Sequence, residues 1–166
     1  SGLGVDDQGR LLAASTRGVI YRLDLLLADA TVGGITGAAL DGVSADGGVA
    51  SANVGQSIEL TGTGFNFSTR VLFPTRDSAG VEGGAEVTPK VVSGDGTRLQ
   101  VVGPAEATTG DVRVSGGTGM VRLQVVPRIT GLSGQPSEGS SFTITGSGCM
   151  EGASTITVGG VVIDDV

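Results

Sequence analysis

From Ser57 onward, apolar and polar residues alternate with a period of two. Ile58 and Leu60 alternate with Glu59 and Thr61, and Val71 and Phe73 follow. Leu99 and Val101 sit beside Arg98 and Gln100, Val112 and Val114 flank Arg113, and Val121, Leu123 and Val125 alternate with Arg122 and Gln124. Each segment places apolar side chains on one face and polar ones on the other, as antiparallel strands of a half-exposed sheet require. Turn signals separate them at Gly62-Thr63-Gly64, Ser93-Gly94-Asp95-Gly96, Thr108-Thr109-Gly110 and Gly116-Gly117-Thr118-Gly119. About seven short strands over roughly 80 residues predict a β-sandwich. The expected buried set over residues 40–127 is Ile58, Leu60, Phe65, Val71, Leu99, Val101, Val112, Val114, Leu123 and Val125.

Before Ser57 the pattern is weaker. Residues 1–27 read as two or three short strands: a polar turn from Gly4 to Arg10 leads into Leu11-Leu12-Ala13-Ala14, and Gly18 precedes Val19 to Leu23. Leu23 to Leu27 is the one helical candidate. Residues 28–52 are small, Gly-rich and weakly periodic, which suggests a linker followed by a first strand around Ala39 to Val43.

Composition supports a strand-rich reading. The 166 residues include 31 glycines, against about 12 expected at average usage. No Gly-X-Y period appears, and recurring β-branched residues argue against a disordered linker. With four Phe, one Tyr and no Trp, the core must be aliphatic. The net charge is -7 and Lys90 is the sole lysine, so there is no electrostatic footprint for nucleic acid. The absence of His removes the commonest general base and metal ligand. A single Cys excludes an internal disulfide, and no apolar run approaches the ~20 residues of a membrane span.

The strongest signal is an internal repeat. Gly55 to Phe65 aligns without gaps on Gly139 to Cys149, matching three glycines, the apolar pair Ile58/Leu60 with Phe142/Ile144, and Thr61 with Thr145. With one extra residue, Val71-Leu72-Phe73 falls on Ile156-Thr157-Val158. The run Leu60-Thr61-Gly62-Thr63-Gly64-Phe65, then Thr69-Arg70-Val71, resembles the hallmark of the IPT/TIG immunoglobulin-like family (the plexin and transcription-factor type). The likeness continues through Asp95-Gly96-Thr97-Arg98-Leu99, Pro104, Thr109-Gly110-Asp111-Val112-Arg113-Val114 and a last strand ending at Pro127. Two departures are the Gly-rich loop from Arg76 to Gly84 and Cys149 where Phe is usual.

The resemblance implies an immunoglobulin-like sandwich over 35–127 and the first half of a second over 128–166, preceded by a β-hairpin segment and linker over 1–34. Residues 5–24 also resemble the closing hairpin of a β-propeller blade. In the crossing motif, Gly62 and Gly64 are expected to take positive φ while Phe65 plugs the sandwich end, a wholly architectural role.

No constellation of residues supports catalysis. Asp6-Asp7 and Asp164-Asp165 are adjacent pairs, which on a strand point to opposite faces. In a loop they could hold Ca²⁺, but neither has the spacing of a dedicated calcium loop. The Gly-rich runs at 62–64 and 116–119 neither open a helix nor carry a P-loop Lys. Cys149 has no His or Lys near it in sequence and is expected in a core. The Phe residues occupy patterned core positions and Tyr21 is the only polar aromatic, which leaves few platforms for sugar rings. We therefore expect no catalytic, cofactor-binding or metal residues and no enzyme activity.

Modules of the resembled family occur in surface receptors, in Rel-type transcription factors, beside starch-active domains, and in tandem arrays of bacterial surface proteins. Tandem copies with an acidic, Gly/Thr/Ser-rich composition fit the last: an extracellular, structural and adhesive module partnered by proteins or by copies of itself through β-edges. An accessory module of a secreted polysaccharide-active enzyme is the alternative. The first copy needs about 50 residues past Phe73 to close its sandwich, so 128–166 makes only half of one, and isolated half-sandwiches expose edges that recruit strands. Either the polypeptide continues past Val166, which a start without Met favours, or a neighbouring chain supplies the missing strands.

Overall fold

The computed structural model describes residues 2–5, 11–14, 17–18, 20–23, 29–135, 137–149 and 155–164, and among them the fold is all-β with no helix. Three short strands open the chain: β1 (Gly2–Val5), β2 (Leu11–Ala14) and β3 (Ile20–Leu23), an antiparallel meander in that order. The helical candidate therefore begins inside β3, and residues 24–27 lie outside the described residues.

A β-sandwich follows. One sheet holds β4 (Thr31–Thr36), β6 (Ser57–Thr63), β10 (Arg98–Val102) and β9 (Val91–Val92), in that spatial order. The facing sheet holds β5 (Ser51–Ala52), β12 (Met120–Val125), β11 (Gly110–Val114), β7 (Val71–Arg76) and β8 (Glu82–Val87). Alternation does what the period of two requires: β11 reads buried, exposed, buried, exposed, buried along Gly110 to Val114. The core joins Val32, Ile58, Leu60, Leu99 and Val101 of the first sheet to Ala52, Val71, Phe73, Val112, Val114 and Leu123 of the second, with Phe65 and Ala107 closing it. Of the ten expected core residues, nine are buried, and Val125 packs partly buried against them.

Five expectations need correction. The first strand is Thr31–Thr36, not Ala39 to Val43, which forms a loop with Leu40 and Val43 81% and 92% exposed. Gly33-Gly34 looked like linker, yet Gly34 lies where a Cβ would come 2.6 Å from Thr61 Oγ1, so a glycine suits the β4–β6 pairing. The sandwich has nine strands rather than seven, and β5 pairs with β12 in parallel. The Gly-rich stretch from Arg76 to Gly84 is not all loop: only 77–81 connect, and Glu82, Gly83 and Gly84 open β8, which pairs with β7 from Val71↔Val87 to Arg76↔Glu82. Finally, Phe67 is not core but 66% exposed.

Two hairpins complete the chain. β13 (Arg128–Ser133) pairs with β14 (Thr143–Ser147), and β15 (Thr155–Val158) with β16 (Val161–Asp164). The sequence repeat is a structural repeat. β4 pairs with β6 through Val32↔Gly62, an irregularity, then Gly34↔Thr61; β13 pairs with β14 through Ile129↔Gly146, an irregularity, then Gly131↔Thr145. The same β-bulge recurs with the same bulged position.

Candidate functional site

The same glycine turn ends the repeated strand in both copies. Gly64 has φ 72°, and its counterpart Gly148 has φ 74°, a region that glycine enters without steric cost. Gly62 does not share that conformation, contrary to the expectation from sequence. Its requirement is space: a Cβ there would run into the Thr31 carbonyl and lie 2.7 Å from Phe65 Cζ. Phe65, 4% exposed, sits beneath the crossing as expected.

The crossing is held from the side by the turn between β9 and β10. Gly62 N–H donates to Thr97 O at 2.9 Å, and Phe65 N–H donates to Gly96 O at 3.0 Å. Within that turn Asp95 Oδ1 accepts from Ser93 Oγ at 2.6 Å, Thr97 Oγ1 at 2.8 Å and Thr97 N–H at 3.1 Å. Hydrogen bonds from Ser93 and then Thr97 hold the Asp95 carboxyl down at about 2. The constellation is architectural, with a charged acceptor organising the turn.

The residues weighed for chemistry are not brought together. Asp6, Asp7 and Asp165 lie outside the described residues, and Asp164 ends β16 opposite Thr155. No group of three or more His, Cys, Asp or Glu side chains that could hold a metal occurs among the described residues. Cys149 is exposed rather than buried in a core. The Gly116–Gly119 run is the β11–β12 turn, where Thr118 exchanges backbone bonds with Ala30 and Val32 and so ties the two sheets together. Two shallow surface grooves, of about 400 and about 290 Å³, are lined respectively by residues of β7, β8 and β11, and by Asp29, Asn66, Ser68, Arg70 and Ser115 among others.

Among the described residues, the second copy consists instead of two separate two-stranded sheets. β6 is flanked by β4 on one side and β10 on the other; its counterpart β14 pairs, among the described residues, with β13 alone. Positions buried in the first copy are correspondingly uncovered in the second. Val32 is 4% exposed and Ile129 62%; Val71 is fully buried while Ile156 is 38% exposed. Leu132, Val161, Val162 and Ile163 are also exposed. Cys149 follows the same rule: it occupies the Phe65 position, but nothing equivalent to the β9–β10 turn covers it among the described residues.

Sequence reasoning overlooked one further surface feature. Phe67 stands at the tip of a tight turn in which Ser68 N–H donates to Asn66 Oδ1 at 2.8 Å and Asn66 N–H to Thr69 Oγ1 at 3.0 Å. Asn66, Ser68 and Thr69 bracket it as an Asx-type turn, the signal that could have placed it outside the core. Comparison with protein-family models and with curated proteins finds no match for this chain.

Proposed function

We propose that this chain is a structural and adhesive module of a large extracellular bacterial protein, in which IPT/TIG-like copies in tandem space or present binding surfaces and assemble laterally through their β-edges. One observation carries the reading: the second copy repeats the bulge and register of the first but leaves exposed the apolar positions that the first buries. Unpaired strand edges beside apolar faces recruit other strands. The net charge of -7 disfavours a nucleic-acid partner.

Sedimentation velocity across a concentration series tests it, with Ile144→Lys placing a charge on β14. Association that the substitution abolishes supports the reading. A chain that stays monomeric at every concentration, with or without a separate protein partner offered on the β14 edge, contradicts it.

Phe67 favours a second reading, an accessory carbohydrate-associated module, because an exposed aromatic ring beside a polar groove is how sugar rings are stacked. Polysaccharide pull-down that Phe67→Ala abolishes and Ile144→Lys spares would select it over the first.

A further inference from the structure

The loop from Gly37 to Ala50 is long for a connection between β4 and β5, yet it is tightly ordered by hydrogen bonds from four side chains. Ser51 N–H donates to Gly37 O at 3.1 Å and closes the base. Ser51 Oγ accepts from Ala39 N–H at 3.1 Å, and Gln56 donates to Ala38 O at 2.6 Å while accepting from Leu40 N–H at 3.3 Å. Asn53 accepts from Asp41 N–H at 3.0 Å and donates to Asp41 O at 2.9 Å. Gln124 accepts from Asp46 N–H at 2.9 Å and donates to Asp46 O at 2.6 Å and Val49 O at 3.2 Å. Ser51, Asn53 and Gln124 are buried, and no buried side-chain polar atom among the described residues lacks a partner. A buried polar network satisfied to this degree imposes one conformation.

That conformation is aimed at the joint between the two copies. Only Val126 and Pro127 separate β12 from β13. Asn53 Nδ2, already bonded to the loop at Asp41 O, also donates to Val126 O at 2.9 Å, and Val126 N–H donates to Ala52 O at 2.9 Å. Gly42, at φ 81°, lets the loop lie against the joint: a Cβ there would be 2.7 Å from Val126 Cγ1 and 2.9 Å from Pro127 O. Asp41 Oδ2 then pairs with Nε of Arg128, the first residue of β13, at 2.8 Å. From the far side, a Cβ at Gly148 would be in ordinary contact with Pro127 Cα, Val126 O and Val125 Cγ1, so the crossing after β14 packs on the same two residues.

We propose that the Gly37–Ala50 loop is a clamp that fixes the direction in which the second copy leaves the first. Two folded units joined by a two-residue linker move relative to one another by default. Here one side chain, Asn53, bonds the loop and the linker together, and Asp41 carries the constraint across to β13. This holds whether the open copy binds protein or the module binds sugar, since it concerns the joint alone.

The test is a distance distribution between spin labels at Lys90→Cys and Thr143→Cys, both exposed positions, in a full chain carrying Cys149→Ser. The clamp predicts a single narrow distribution that roughly doubles in width in Asp41→Ala/Arg128→Ala, and again in Gly42→Ala, while the far-UV circular dichroism is unchanged. If Gly42→Ala unfolds the sandwich, the Asp41→Ala/Arg128→Ala variant, which alters only exposed side chains, decides. A broad distribution in the parent chain, or an unchanged width in the folded variants, overturns the proposal.

Discussion

The backbone N–H of Phe65 donates to the carbonyl of Gly96 at 3.0 Å, so the crossing that follows β6 is anchored on the turn that precedes β10. Two segments more than 30 residues apart thereby fold as one element: the crossing shields Phe65, and the turn shields the crossing. The Asp95 carboxylate, accepting three bonds within the turn, sets its shape.

Stability should therefore fall at low pH through Asp95. Its carboxyl is lowered from 3.8 to about 2 in the folded chain, so the unfolded chain takes up the proton first as pH drops. The stabilisation is complete above the unfolded value and disappears as pH falls through about 2. Urea unfolding across this acid range should show a slope that Asp95→Asn reduces. An identical pH slope in the substituted chain would remove Asp95 from the account.

Gly62→Ala should destabilise the sandwich by about 1–3 kcal/mol, because the added methyl meets Phe65 Cζ and the Thr31 carbonyl with no room to relax. Chemical denaturation measures it directly; a neutral effect would mean the crossing is loosely packed.

Leu60 and Ile129 test the difference between the two copies. Leu60 is fully buried, and Leu60→Ala should cost about 2–5 kcal/mol. Ile129, on the uncovered face, should cost no more than about 0.5 kcal/mol as Ile129→Ala in the isolated chain. Equal costs would show that something within this chain covers the second copy.

Asn53→Ala should cost about 1–3 kcal/mol, because it strands the Asp41 and Val126 groups that it now satisfies. Amide hydrogen exchange should quicken at Asp41 in particular. Unchanged protection there would mean the loop is held without Asn53.

Much of this was legible from residue order. The period of two placed β6, β7, β10, β11 and β12, and the Gly55–Phe65 repeat anticipated β14, because both signals are local. The misses share a cause. β4 was hidden because Gly33 and Gly34 read as linker, whereas Gly34 answers to the nearby Thr61 side chain, a tertiary reason that no window of sequence contains. β8 was hidden by Gly83 and Gly84 in the same way, with Gly84 lying against Leu72. Cys149 was assigned to a core because its counterpart Phe65 belongs in one, but burial depends on covering strands rather than on the motif. The loop anchored by Ser51, Asn53 and Gln124 left no trace in hydrophobic periodicity, since polar side chains build it.

The edge of β14 that no strand covers among the described residues is the centre of the account, and the first copy supplies its own probe. β10 covers β6 with Leu99 opposite Leu60 and Gln100 opposite Glu59; by the repeat, the same strand would set Leu99 opposite Ile144 and Gln100 opposite Thr143. A synthetic peptide of residues 96–103 titrated into isotopically labelled chain should perturb amide resonances from Thr143 to Ser147, with Ile129 and Leu132 following, and Ile144→Lys should abolish the response. No perturbation on β14, with these amides already protected from exchange in the free chain, would contradict the reading of the second copy as an open strand acceptor.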